Sequence, residues 1–329
     1  MTSTVVLLTQ LGTPDAPTAP AVRRYLREFL SDPRVVDAPR LFWLPLLHGV
    51  ILRTRPARSA ALYQHIWRPD GVSPLLYFSR LQSQAVVAAL PADITVTLTM
   101  RYGQPSLVAA LQEVIQTRVE RLLVFPLYPQ YASSTTGSTQ SAVMEVIAAQ
   151  RCQPALRFAA PFYNRSSYIR ALAARIQEHL TLIDKESGTS PYVLFSFHGL
   201  PQRHVDGGDP YADQCQETAR LLARELNFPA TRWRLVFQSR FGRESWLEPA
   251  TAKVLAELPG EGIRSVVVAC PGFVADCLET LEEIDRQGRE IFLRAGGQVF
   301  HTVPCLNDHP LWLAALTELV KEELAGWSG

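Results

Sequence analysis

The sequence predicts an α/β protein of two similar halves, each a four-stranded parallel sheet flanked by helices. Short β-branched runs alternate with segments of helical period, the pattern of a doubly wound sheet. The alternation passes through four strands, meets a polar linker at Asp184–Pro191, and passes through four more. The 329 residues, 47% hydrophobic and 19% charged, describe a core-rich chain with room for about two domains at ~150 residues each. The first strand is Thr4–Thr9, opening on Val5-Val6-Leu7-Leu8; Ile94–Met100, Arg121–Pro126 and Leu156–Ala159 follow. Helices are expected near Ala19–Leu30, Ser79–Leu90, Pro105–Gln116 and Ser138–Ala149, with an insertion at about Asp32–Ser73 before the second strand. After a helix near Ser166–Ile183, strands near Tyr192–Phe197, Arg234–Gln238, Ser265–Cys270 and Gln298–Val303 alternate with helices near Tyr211–Leu226, Glu248–Glu257, Ala275–Arg294 and Pro310–Glu323. The domains are expected at 1–164 and 165–329.

Charge and cysteine content exclude several classes. With 32 Lys and Arg against 31 Asp and Glu the net charge is +1, so no bulk basic field is present to hold nucleic acid. The five cysteines are odd in number and contain no C-x-x-C, which argues against a disulfide framework or a zinc or iron–sulfur ligand set. The opening Met-Thr-Ser-Thr lacks the charged region and cleavage site of a signal peptide. The longest uncharged apolar stretch, Leu41–Leu52, is far short of the ~20 residues that cross a bilayer. A cytoplasmic protein in a reducing compartment is the expectation.

In such sheets ligands bind outside the carboxyl ends of the strands. The residues there are distinctive: Gln10-Leu11-Gly12-Thr13-Pro14, Arg101-Tyr102-Gly103, Tyr128-Pro129-Gln130-Tyr131, Ser196-Phe197-His198-Gly199-Leu200-Pro201, Gln238-Ser239-Arg240 and Pro271–Asp276. Neither G-x-G-x-x-G nor G-x-x-x-x-G-K-[ST] occurs, which argues against a dinucleotide oxidoreductase. Ser133–Ser138 reads either as an anion cradle or as a hydroxyl-rich helix cap. His198 ends an apolar strand just before a turning glycine, where an imidazole either accepts protons near neutral pH or serves the fold. Asp276, Glu279, Glu283 and Glu290 fall on one stripe of a helix opened by Asp276. That stripe is either a solvated acidic face or, because its first turn lies at a strand's carboxyl end, a set of carboxylates for protons or a divalent cation. The apolar run from Leu41 stands beside Arg53, Arg55 and Arg58, which suits a flat apolar ligand bearing carboxylates, an anionic membrane surface, or a covered helix within the fold. Residues 21–60 hold eight arginines against three acids, a balance of +5, and residues 276–290 hold six acids against two arginines, a balance of −4. The near-zero total is a cancellation of two opposed patches.

Together these segments resemble the ferrochelatases, enzymes that insert ferrous iron into a porphyrin. The resemblance runs from Leu11-Gly12-Thr13-Pro14-Asp15 to Leu306-Asn307-Asp308. It is carried by Phe195–Pro201, by Tyr128–Tyr131 with Ser134-Thr135-Thr136-Gly137, by Gln238–Gly242 with Trp246-Leu247, and by Asp276–Leu281. It implies two Rossmann-like halves around a porphyrin cleft, with the last helix packing back on the first half. It implies that His198 and Glu279 are the iron-binding and proton-handling pair, with Asp276 and Glu283 extending a proton or metal path. Leu11, Tyr63, Ser73, Tyr128 and Trp246 match porphyrin-contacting positions, and either Arg53 or Arg55 meets a propionate. Cys277 stands where some members carry histidine, and Gln287 replaces the outermost acid of the path. Some members bind a [2Fe–2S] cluster through a cysteine before Ser-Thr-Thr-Gly and three near the C-terminus; Ser133 here, and no cysteine after Cys305, imply that no such cluster is held.

The expected function is insertion of Fe²⁺, as substrate, into protoporphyrin IX with release of two protons, a lyase reaction that ends haem biosynthesis without a permanently bound cofactor. Insertion into coproporphyrin, a cobalt chelatase, and a non-catalytic tetrapyrrole carrier are the alternatives. Peripheral membrane contact through the 41–52 lip is a further expectation.

Overall fold

The computed structural model describes residues 4–187, 191–242 and 244–327. They form two compact units. The first runs to Tyr128, takes in Ala132–Ala160 and resumes at Leu316; the second holds Pro129–Tyr131 and Pro161–Ala315.

The first unit contains β1 (Thr4–Thr13), α1 (Ala19–Ser31), α2 (Arg40–Leu46), α3 (Leu52–Ile66), α4 (Pro74–Ala89), β2 (Ile94–Gly103), α5 (Leu107–Gln116), β3 (Arg121–Pro126), α6 (Ser138–Ala148) and β4 (Ala155–Phe158). Its sheet is parallel throughout, in the order β2-β1-β3-β4. Every β1 residue except Leu11 is buried, which is why the strand reads as an almost continuous apolar run. Val5 and Leu7 pack with Leu122 and Val124 of β3 under Leu111 of α5 and Val143 of α6. The two polar exceptions in mid-sheet satisfy each other, Thr9 and Thr99 sharing a hydroxyl bond of 3.0 Å.

Within the insertion, Arg40 to Ile66 form one unbroken helix. Directly after Pro45 the ladder widens, so that Leu52 N donates to Leu47 O across a π-helical turn at Leu47–Ile51, and α3 continues without a break. Leu47 and Leu52 are buried on the inner side, while Leu41 (81% exposed), Phe42 (75%), Leu46 and Val50 face outward. Just before it, Asp32 anchors a buried polar cluster. Its Oδ2 accepts from Arg101 Nη2 at 2.6 Å, Ser138 Oγ at 2.6 Å and Tyr102 OH at 2.8 Å, and its Oδ1 accepts from Arg34 N at 2.8 Å.

The second unit contains α7 (Ser166–Ser187), β5 (Tyr192–His198), α8 (Gln202–Asp206), α9 (Tyr211–Glu225), β6 (Trp233–Gln238), α10 (Thr251–Glu257), β7 (Ser265–Ala269), α11 (Arg289–Arg294), β8 (Val299–Thr302) and α12 (Pro310–Leu324). Its parallel sheet has the order β6-β5-β7-β8, the same pattern as the first. Leu194, Val236, Val266 and Val268 build its core with Phe292 and Phe300. Between β7 and α11 lies a ten-residue π-helix, Glu279–Gly288. The end of α12 belongs to the first unit, where Arg157 of β4 donates to the main-chain oxygens of Glu323 and Ala325 and stacks 4.3 Å from the Trp327 ring.

Several elements differ from the sequence expectation: β1 runs on to Thr13, β2 runs on to Gly103, and α4 opens at Pro74 where a helix is expected from Ser79. The helix expected to end at Ile183 continues to Ser187, into the predicted linker, of which 188–190 lie outside the described residues. The helix expected from Glu248 starts at Thr251, and Glu248 instead turns its carboxylate onto Ala250 N at 2.8 Å. The helix expected over Ala275–Arg294 begins at Leu278 and is a π-helix for most of its length, because Asp276 is occupied outside it.

Candidate active site

Strand order decides where a ligand is met. The chain leaves β5 on one side to form β6 and returns to form β7 on the other, so the connections after β5 and β7 part in opposite directions, the place where open α/β sheets form a ligand crevice. His198 is the last residue of β5, and Glu279 opens the π-helix that follows β7. The last residue of β6, Gln238, and the first after it, Ser239, lie beside them.

His198 is half-buried, and its Nδ1 lies 2.7 Å from Gly199 O. A main-chain carbonyl only accepts, so Nδ1 carries a proton and Nε2 is the ring atom left to gain or lose one. Gly199 is required by close packing: a Cβ there would sit 2.8 Å from Gln238 O and 3.3 Å from the Trp246 ring. Trp246 is held over this turn by its Nε1, which donates to Phe241 O at 2.7 Å, and by a bridge to Pro201.

Glu283 lies in electrostatic reach of both His198 and Glu279. Ser239, in the left-handed region at φ +64°, aims two donors at one carboxylate: its N reaches Glu283 Oε1 at 2.6 Å and its hydroxyl donates to Oε2. Burial pushes the Glu283 carboxyl above the usual range; the Ser239 bonds and the charge of His198 oppose this, and the like charge of Glu279 adds to it. Asp276 stands apart from that pair. Its carboxylate is buried and accepts from Thr280 Oγ1 at 2.9 Å, Asn307 Nδ2 at 2.6 Å and Cys305 N at 3.3 Å. Three segments converge there, the connection after β7, the π-helix and the connection after β8, and the carboxylate has the satisfied shell of a structural anchor. Glu290 is exposed and paired with Arg286 and Arg294. Gln287 donates to the buried Glu282 at 3.2 Å, which Arg286 also holds. The predicted acidic stripe is thus divided among three environments, since π-helical spacing moves successive residues off an α-helical face. Burial also pushes the Cys270, Cys277 and Cys305 thiols up, away from the thiolate form.

The remaining predicted residues lie in the first unit. Leu11 is the least buried residue of β1, at its carboxyl end. Ser73 is buried and caps α4, its Oγ accepting from Leu76 N at 3.2 Å. It also lines a cleft of about 430 Å³ with Thr13, Asp15, Trp67, Leu76 and Arg80. Tyr63 is buried, its ring edge-on to Trp67 at 6.1 Å. Burial pushes the Tyr128 phenol above its ordinary range. Arg53 is exposed and Arg55 half-buried on α3. Among the described residues, no three or more His, Cys, Asp or Glu side chains gather as a metal cage. Gln238 and Ser239 went without a role in the sequence reading; their position just after a strand was the available signal.

The chain was compared with known proteins. Residues 3–324 match the family model Ferrochelatase. A ferrochelatase of Nitrosococcus oceani is 51% identical over 326 residues, covering 98% of this chain and 87% of that protein. One of Methylibium petroleiphilum is 48% identical over 325 residues, covering 98% and 88%. Among solved structures, SirB of Bacillus subtilis with Fe³⁺ is similar at a TM-score of 0.56 and 13% identity, covering 99% of this chain and 98% of that one, a likeness of fold. With the family model spanning both sheets and the relatives matching nearly end to end, the chain belongs to the ferrochelatase family.

Proposed function

We propose that this protein inserts Fe²⁺ into protoporphyrin IX, releasing two protons and forming protohaem. The observation that carries the reading is His198 with its free Nε2 at the crevice of the second sheet, in electrostatic reach of a carboxylate that also feels Glu279. Insertion requires removal of two pyrrole N–H protons, distortion of a planar ring and stripping of water from the ion. In this reading Nε2 of His198 accepts the two pyrrole protons one after the other, and each passes on to the Glu283 carboxylate, held by Ser239, and from there to solvent. Glu279 offers a carboxylate oxygen to the incoming ion, which as substrate must be released into the macrocycle; a site with few protein donors suits that transfer better than a closed cage. Asp276 supports this arrangement by holding the start of the π-helix. Leu11, Tyr63, Ser73, Tyr128 and Trp246 are proposed to meet the porphyrin, with Arg53 or Arg55 at a propionate, and no [2Fe–2S] cluster takes part. Anaerobic mixing of the protein with Fe²⁺ and protoporphyrin IX should yield the haem spectrum with many turnovers, and parallel reactions with coproporphyrin should be slower. Stoichiometric binding without product would instead identify a carrier.

The exposed apolar edge of the insertion is proposed to touch a membrane surface. Phe42, Leu46 and Val50 recur every four residues beside Leu41, and Arg40, Arg53 and Arg58 are exposed along the same helix. That arrangement fits an interfacial helix on anionic lipid. No helix among the described residues is long and apolar enough to cross a membrane. Phe42→Ser combined with Leu41→Ser is expected to lower binding to phosphatidylserine-containing liposomes at least ~10-fold in a flotation assay, in line with ~0.8 kcal/mol per buried CH₂. Unchanged binding would end the membrane reading.

A further inference from the structure

Gln238 is 3% exposed, and its hydrogen-bonding groups reach three different elements. Its main-chain oxygen accepts from Gly199 N at 2.7 Å, which fixes the turn directly after His198. Its side-chain Nε2 donates to Glu279 O at 2.9 Å. Its Oε1 accepts from Ser196 Oγ at 2.8 Å and from Cys270 Sγ at 3.6 Å. The amide orientation follows from its partners. Glu279 O can only accept, so the nitrogen must face it; Oε1 then faces Ser196, whose hydroxyl must donate. Ser196 Oγ lies 2.9 Å from Thr251 Oγ1, so Thr251 is the donor of that pair. A one-way chain runs from α10 through β5 and β6 to the first residue of the π-helix.

That last bond has a mechanical consequence. In a π-helix each carbonyl takes its main-chain donor from five residues on, and the wide turn forms where an extra group enters the ladder. Gln238 is such a group, placed on the oxygen of the residue whose carboxylate is proposed to meet iron. The same residue pairs with His198 in the β5–β6 ladder. We infer that Gln238 is a positioning residue that sets the separation of the His198 ring and the Glu279 carboxylate by bonding to the main chain beside each. The inference rests on the reading of His198 and Glu279 as the metal-inserting pair. It assigns Gln238 no contact with substrate.

The test uses the full chain, anaerobic Fe²⁺ and protoporphyrin IX, with each substrate varied in turn. Gln238→Leu keeps the bulk and removes both amide bonds. It is expected to lower kcat/KM for Fe²⁺ about 10- to 100-fold, the range seen when groups that orient metal ligands are removed, while KM for porphyrin stays within about twofold. A role confined to folding would reduce the yield of active protein and leave both KM values unchanged. Ser196→Ala serves as the second variant, since it keeps Gln238 and frees the amide to rotate; a severalfold rise in the KM for Fe²⁺ alone is expected. If Gln238→Leu does not fold, Ser196→Ala decides. Variants that match the parent in kcat/KM for Fe²⁺, or that weaken both substrates equally, overturn the inference and leave the proposed function standing. A parent protein that forms no haem removes the proposed function, and the inference with it.

Discussion

Replacing His198 with alanine is expected to cut the rate of haem formation about 10²- to 10⁴-fold, the contribution of a well-placed general base. The unfolding midpoint should stay close to that of the parent. The ring is half-buried at the end of β5 and its resolved bond is local, to Gly199 O, so its removal opens no core cavity. Single-turnover measurement with preloaded porphyrin would separate proton removal from binding. Activity above about a tenth of the parent would contradict the assignment of the base, and Glu279 or Glu283 would then have to serve. Because Nδ1 is committed to Gly199 O, His198→Gln is not expected to rescue: an amide can reach toward either neighbour but offers no basic nitrogen.

Asp32→Ala is expected to be the most destabilising polar substitution. The Asp32 side chain is 6% exposed and pairs with Arg101 at 2.6 Å. Its removal leaves the Arg101 charge, the Tyr102 hydroxyl and the Ser138 hydroxyl without their shared acceptor, a loss of about 3–5 kcal/mol for breaking a buried pair. The sign with pH follows from the carboxyl itself. Burial works to raise it, but the bonds from Ser138, Arg34 N and Tyr102 and the Arg101 charge together hold Asp32 below the ordinary range. A depressed carboxyl contributes stability that is fully present well above the unfolded value of ~3.9 and is lost as pH falls through the folded value. Denaturant midpoints of parent and variant should therefore differ most near neutral pH and approach each other below about pH 4. A difference that is small at pH 7, or that grows in acid, would refute this account.

The strands were legible because parallel sheets covered by helices need apolar runs, and runs such as Arg121–Pro126 and Tyr192–Phe197 coincide with β3 and nearly with β5. Helix starts were less legible. Thr251 and Leu278 begin later than expected because Glu248 and Asp276, good helix-opening residues by composition, are drawn into local bonds with Ala250 N and with Thr280, Asn307 and Cys305. In the insertion, where a covered helix was one of the readings, the helix runs past Pro45 and Gly49 because a π-turn at Leu47–Ile51 follows the proline.

Amino-acid order by itself determined the alternation of strands and helices, the family and the identity of His198 and Glu279 as the residues to watch, because these depend on local periodicity and on motifs contiguous in the chain. Only the tertiary structure decided which acids share an environment. Strand order set β5 beside both β6 and β7, so Gln238, about forty residues from His198 and from Glu279, bonds to the main chain beside each, and Ser239 reaches Glu283. Asp276, three residues from Glu279, is turned away to Asn307. Sequence distance fixes neither outcome, because a carboxylate is placed by the donors that the fold brings to it, and here those donors come from other strands.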